Sequence, residues 1–151
     1  MLYVLDSAPL SVFCDEPKKA RTAQARRWAY ITTNKTEHKI VVPEIVDYEL
    51  RRELLRKNRI GSLRRLDQLS SLALYLPITT SIMRRAAELW AIARQQGKPT
   101  AADEALDADM ILLALAASLD EDYRILTTNV NHLNMTGHAL HWDTEVNSAL
   151  I

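Results

Sequence analysis

The chain has one cysteine in 151 residues, Cys14, so it can form neither an internal disulfide nor a thiolate metal site. That usage fits a reducing, cytoplasmic setting. Long hydrophobic runs are also missing. The longest, MILLALAA (110–117) and LALYLPI (72–78), fall far short of the roughly 20 apolar residues that cross a bilayer. The opening MLYVLDSAPL lacks a basic lead and meets Asp6 early, which argues against a signal peptide. Repeats, linkers and low-complexity stretches are lacking too, so residues 1–151 are expected to form a single domain. With 48% hydrophobic and 25% charged residues, the chain can bury a full core, which excludes disorder.

An excess of one charge is absent overall, at 19 basic against 19 acidic residues, but the halves differ. Residues 1–75 hold 14 Lys/Arg against nine Asp/Glu, and residues 76–151 hold five against ten. Seven basic residues fall within 51–65, with Glu53 the lone acid there. Such a block is read first as a solvated helix face, with a phosphate-backbone or partner-docking patch as the alternative.

Short apolar runs alternate with longer helical stretches. LYVL (2–5), KIVV (39–42), LYLPI (74–78) and RILTT (124–128) read as strands, with HALHW (138–142) a short fifth. Helices are expected over 18–31, 43–57 with Pro43 in its first turn, 60–72, 82–96 and 103–119. Thr79 to Ser81 offer caps for the fourth of these, and Gly97 and Pro99 stop it. Asp6 is read as the residue that ends the first strand. Strands joined by helical crossovers imply an α/β fold with a central parallel sheet between helical layers. Chemistry in such folds collects outside the carboxyl ends of the strands.

Four segments bring polar oxygens to that edge: Asp6 after the first strand, the helix from residue 43, Asp107 and Asp109 near the start of the helix before the fourth strand, and Asn129 after that strand. Counting about 100° per residue from Pro43, Glu49 falls near 240°, inside the apolar arc, while Glu44 and Asp47 fall outside it. A carboxylate facing a core is costly unless paired, protonated or bound to a metal, so Glu49 is singled out. Glu53 is assigned as a partner for a neighbouring Arg. Asp109 is placed in the first turn of an all-round apolar helix; Asp107 is assigned mainly to capping, and Asp103 is an alternative cap. Asp6, Glu49 and Asp109 together would repel one another unless a cation neutralised them. All-oxygen ligation calls for a hard ion, Mg²⁺ or Mn²⁺.

At this point the sequence resembles the PIN-domain ribonucleases, particularly VapC-like toxins of toxin–antitoxin pairs. The resembling segments are YVLDSAPL around Asp6, VPEIVDYELRREL around Glu49, LDADMILLALA around Asp109 and ILTTNVNHL around Asn129. The resemblance implies a three-layer α/β/α sandwich and a metal-dependent endoribonuclease. It also implies Asp6, Glu49 and Asp109 as catalytic metal ligands, with Ser7 and Thr127 positioning water or substrate. Asn129 would complete the metal set and Asp107 would play a supporting part. Members of the family commonly form homodimers and are inhibited by a small antitoxin. Family members often carry an acid at the place of Asn129 or three residues later. Asn129 and His132 stand there instead, so weaker metal affinity is expected, with His132 a surface or cap residue. RNA would approach over Arg51, Arg52, Arg56 and Arg59, touching its backbone without reading bases.

Three other readings remain to be weighed. A phosphoacceptor receiver domain needs a lysine after its last strand, and the chain has none after Lys98. A haloacid-dehalogenase phosphatase needs a second Asp two residues after Asp6, where Ala8 stands. The serious alternative is a catalytically weak or inactive PIN-like domain that binds RNA or protein without cutting. All three tryptophans are assigned to the core.

Overall fold

A computed structural model describes residues 1–34, 37–97 and 103–148, with the side chains of 103–106 outside that description. Five strands, β1 (Leu2–Leu5), β2 (Lys39–Pro43), β3 (Leu74–Leu76), β4 (Tyr123–Thr127) and β5 (Ala139–His141), form one sheet in the order β3-β2-β1-β4-β5. Every pairing is parallel, with Leu2 opposite Lys39 and Tyr123, and Leu5 opposite Leu126. The crossovers run through α1 (Ser7–Cys14) and α2 (Ala20–Thr33), then α3 (Glu44–Arg56) and α4 (Ile60–Leu72), then α5 (Thr80–Gln95) and α6 (Asp103–Ala117). A short α7 (Val130–Leu133) and a 3₁₀ turn link β4 to β5, and α8 (Trp142–Ser148) follows. The result is the expected α/β/α sandwich.

Strand β1 is buried along its whole length and β2 from Ile40 onward, as the near-continuous apolar runs LYVL and IVV require of a sheet covered on both faces. Trp28 stacks edge-on against Tyr3 with ring centroids 5.3 Å apart, joining α2 to β1. In α6, Met110 and Leu112 to Ala116 are all buried. No described helix is long and apolar enough to cross a membrane.

Several local expectations change. Helix α1 lies where none was expected. Pro9 is its third residue, where a missing N–H costs nothing, so it begins the helix instead of breaking it. Pro43 closes β2 and caps α3 from outside the helix. Thr79 does cap α5, its hydroxyl accepting the Ile82 N–H at 3.2 Å, and Gly97 follows that helix with φ +66°. Pro99 lies outside the described residues. Trp28 and Trp142 are core residues, but Trp90 is 36% exposed on α5, under the Arg94 guanidinium. It lines a surface groove of about 350 Å³ between α5 and α6, together with Met83, Ala86 and Ile111.

Asp47 is the sharpest departure on α3: it is only 8% exposed, although the helical wheel set it outside the apolar arc. Its burial is made tolerable by Arg51, 3.0 Å away one turn on, and by the Tyr75 hydroxyl of β3, which donates at 2.8 Å. Arg51 also reaches Asp67 on α4 at 2.8 Å, so this cation ties α3 to α4, and Asp47 ties α3 to β3 through Tyr75. Tyr75→Phe leaves part of a buried carboxylate unsatisfied and is expected to lower unfolding free energy by about 1–2 kcal/mol in urea titration. An unchanged midpoint would contradict this account of Asp47.

Candidate active site

Because all strands run the same way, their carboxyl ends share one edge. Chain reversal there is set by Asp6. Its backbone N–H bonds Leu126 at 3.0 Å, extending the β1–β4 ladder by one residue. One carboxylate oxygen accepts the Ser7 N–H at 2.6 Å and so caps α1. The other accepts the hydroxyl of the fully buried Thr127 at 2.6 Å. Thr127 Oγ1 in turn accepts the Asn129 N–H at 2.8 Å. Asp6 is thus fixed at both oxygens where the two central strands end.

Glu49 arrives from the second turn of α3, half-buried, and its Oε1 accepts the Ser7 hydroxyl at 3.2 Å. Burial and the charge of Asp6 raise its pKa, against the Ser7 hydrogen bond and the charge of Arg52. Asp109 arrives from α6. Burial, then the charges of Asp6 and Glu49, push its pKa up to about 6, against the pull of His132. The three carboxyl groups therefore sense one another's charge on one rim. Among the described residues, however, no three His, Cys, Asp or Glu side chains stand as close together as in a formed metal site. As a donor set they still suit a hard cation: oxygen ligands with excess negative charge, two of them with raised proton affinity.

His132, read from sequence as a surface or cap histidine, belongs to this rim. Its Nδ1 lies 3.6 Å from Asp109 Oδ2 and 2.8 Å from the Asn129 side-chain nitrogen. A signal for it was present, three residues after Asn129 on the first turn of a helix leaving the same strand. Asp107 is placed differently. Helix α6 starts at Asp103, so Asp107 and Asp109 lie in its second turn and neither is a cap. Asp107 is exposed and lines the α5–α6 groove, away from the three carboxylates. The side chain of Asp103 lies outside the described residues.

Part of the basic block is engaged by partners within the fold. Arg51 is held by Asp47 and Asp67, Arg56 pairs with Glu53 at 2.8 Å as assigned, and Arg65 donates to the Cys14 carbonyl at 2.8 Å. Arg52, stacked 5.2 Å above the Tyr48 ring, and Arg59 are exposed. Cys14 is buried, which pushes its thiol up to about 12 and removes it from the chemistry.

A parallel α/β sandwich with acids from three separate crossovers at its carboxyl edge defines a class of fold and site. The PIN domain profile matches residues 3–134, and the chain belongs to that family. Two solved structures share the fold. One is VapBC2 from Rickettsia felis bound to a DNA fragment from its promoter, with a TM-score of 0.64 and 15% identity, over 93% of this chain and 96% of that one. The other is VapBC-1 from nontypeable Haemophilus influenzae, with a TM-score of 0.59 and 16% identity, over 95% and 99%. No curated protein matches the chain.

Burial of the Asp109 carboxyl, together with the crowding of carboxylates, has a measurable cost. With its pKa at about 6, folded Asp109 keeps a proton that the unfolded chain releases from about pH 3.9 upward. Stability from this group therefore falls as pH rises through that window. Asp109→Asn is expected to stabilise the metal-free protein at pH 7 by about 1–2 kcal/mol, less than the full shift implies because water still reaches the carboxyl. The gain should vanish below about pH 4 in urea titrations. A variant no more stable than wild type at pH 7 would show the crowding to be absent.

Proposed function

We propose that the chain is a metal-dependent endoribonuclease, the toxin of a toxin–antitoxin pair. The observation that carries this reading is the set of three carboxyl groups, from α1's cap, α3 and α6, at the sheet edge, where burial and the charge of Asp6 raise the proton affinity of Glu49 and Asp109. Membership of the PIN domain family and a fold shared with VapBC structures support it.

Asp6, Glu49, Asp109 and the Asn129 carboxamide would hold Mg²⁺ or Mn²⁺. Bound there, the ion would stabilise charge developing on the phosphate and lower the pKa of a water. Asp6, its oxygens fixed by the Ser7 N–H and the Thr127 hydroxyl, would hold the ion in a constant orientation. Asp109, whose proton affinity is raised in the metal-free protein, would give up its proton when the ion binds and serve with Asp6 as an oxygen ligand. In-line attack would leave a 5′-phosphate and a 3′-hydroxyl. Ser7 and Thr127 act by holding the two carboxylates, through the hydrogen bonds at 3.2 and 2.6 Å. Of the four arginines expected to guide RNA, Arg52 and Arg59 are exposed and suited to phosphate contacts, while Arg51 and the likewise exposed Arg56 are engaged in ion pairs. A small antitoxin, a homodimeric assembly and a cytoplasmic location belong to the same proposal.

The spacing of the carboxylates, wider than in a formed metal site, favours a second reading: a PIN-like domain that binds RNA or a protein without cutting. One assay separates the two. Purified wild type with Mn²⁺ is expected to cleave RNA, with Asp6→Asn reduced about a hundredfold or more. Equal inertness of wild type and variant across RNA substrates would leave the binding module standing.

A further inference from the structure

Helix α2 contributes nothing to the rim, yet it carries three arginines and no acid along Ala20–Thr33. Arg21 is engaged: it pairs with Asp143 at 3.1 Å and lies 4.7 Å over the Trp142 ring. Asp143 comes two residues after β5, at the carboxyl edge, so α2 starts at the edge that bears the three acids. A hydrogen bond of 2.7 Å from Gln24 to Asn147 keeps α2 beside α8 as both leave that edge.

The helix buries Thr22, Ala25, Trp28 and Thr32. At 100° per residue, Arg26, Arg27 and Tyr30 fall on the opposite side, within about 100° of one another. All three are exposed, Tyr30 at 71%. Among the described residues neither arginine has an ion pair, and the Tyr30 ring meets no other ring or cation. Arg51, Arg56 and Arg65, by contrast, are held by partners within the fold. About 14 Å of helix separates Arg21 from Tyr30, so this surface runs away from the edge without ringing the acids.

A single exposed tyrosine is ordinary, and so are two solvated arginines. Their combination has a more particular chemistry. Two uncompensated cations attract a polyanion, and a bare aromatic face beside them offers a platform on which a base can stack. A carboxylate-rich protein would use the arginines alone.

We infer that Arg26, Arg27 and Tyr30 form a docking strip for single-stranded RNA, with the arginines on phosphates and the tyrosine against a base. The strip holds the strand outside the rim, so it acts on affinity for long RNA and not on the chemical step. This rests on RNA being the ligand of the rim.

Full-length wild type, Arg26→Ala/Arg27→Ala, Tyr30→Ala and Tyr30→Phe would be titrated with a fluorescent oligouridylate of about 20 nucleotides, longer than one such site spans. Divalent ions are left out so that no strand is cut, and a melting curve accompanies each variant. Arg84→Ala is the control. Arg84 is exposed on α5, and right-handed crossovers put α5 on the other face of the sheet from α2. Tyr30→Ala is expected to weaken binding about tenfold, and Tyr30→Phe to stay within about twofold of wild type. The double arginine variant should reduce the slope of log affinity against log salt by about 1.4, as two lost phosphate contacts require. Arg84→Ala should change neither.

Tyr30→Ala binding as tightly as wild type would overturn the proposal and leave a charged surface fit for an acidic protein. An unchanged salt slope in the double variant, or an equal loss in Arg84→Ala, would overturn it too. Cleavage with Mn²⁺ keeps the two readings apart. If wild type cuts RNA while the strip variants bind it unchanged, only the strip falls. If the strip variants weaken binding of an RNA that wild type does not cut, the nuclease falls and the strip stands. If wild type binds no RNA, both fall.

Discussion

Repulsion among like charges is the constraint around which the rim is built. Asp6, Glu49 and Asp109 are separated by 43 and 60 residues along the chain, yet parallel crossovers deliver all three to the same edge. There burial and mutual charge raise the pKa values of Glu49 and Asp109. Nothing in the packing of the sheet requires acids at these places, because the core is complete beneath them. The local structure instead holds them: Ser7 serves both Asp6, through its N–H, and Glu49, through its hydroxyl. Thr127, wholly buried, spends its hydroxyl on Asp6. Such an arrangement is one that a bound cation would relieve.

Helix α3 shows how the same residue class meets opposite fates two positions apart. Asp47 is buried more deeply than Glu49, but an arginine one turn on and a tyrosine hydroxyl from β3 neutralise it inside the fold. Glu49 has only the Ser7 hydroxyl, and the arginine whose charge reaches it, Arg52, is exposed over Tyr48. Asp47 thus belongs to the scaffold and Glu49 to the rim. The same division runs through the basic block. Arg51, Arg56 and Arg65 are spent on internal partners, so the positive half of the chain offers far less free charge than its composition suggests.

The strands, their parallel order and the edge bearing the acids were legible because buried parallel strands are written as short apolar runs. Glu49 was legible because helical periodicity alone placed it on a buried face. Four features were not. Helix α1 was hidden by Pro9, which disrupts a helix anywhere but its first turn. Asp47 was misplaced because a wheel sees one helix, whereas its burial depends on Tyr75 and Asp67, 28 and 20 residues away. Asp107 was assigned to a cap although the helix was expected from residue 103, where it does start, which puts Asp107 in the second turn. His132 was undervalued for a related reason: its contacts with Asn129 and Asp109 depend on how α7 leaves β4, and no periodicity records that.

Residue-specific carbon NMR of the Asp109 carboxyl, titrated with and without saturating Mg²⁺, tests the central claim most directly. The account predicts a midpoint near 6 in the metal-free protein and one well below the ordinary aspartate range once the ion is bound. A midpoint that Mg²⁺ leaves where it was would contradict a shared cation at this rim.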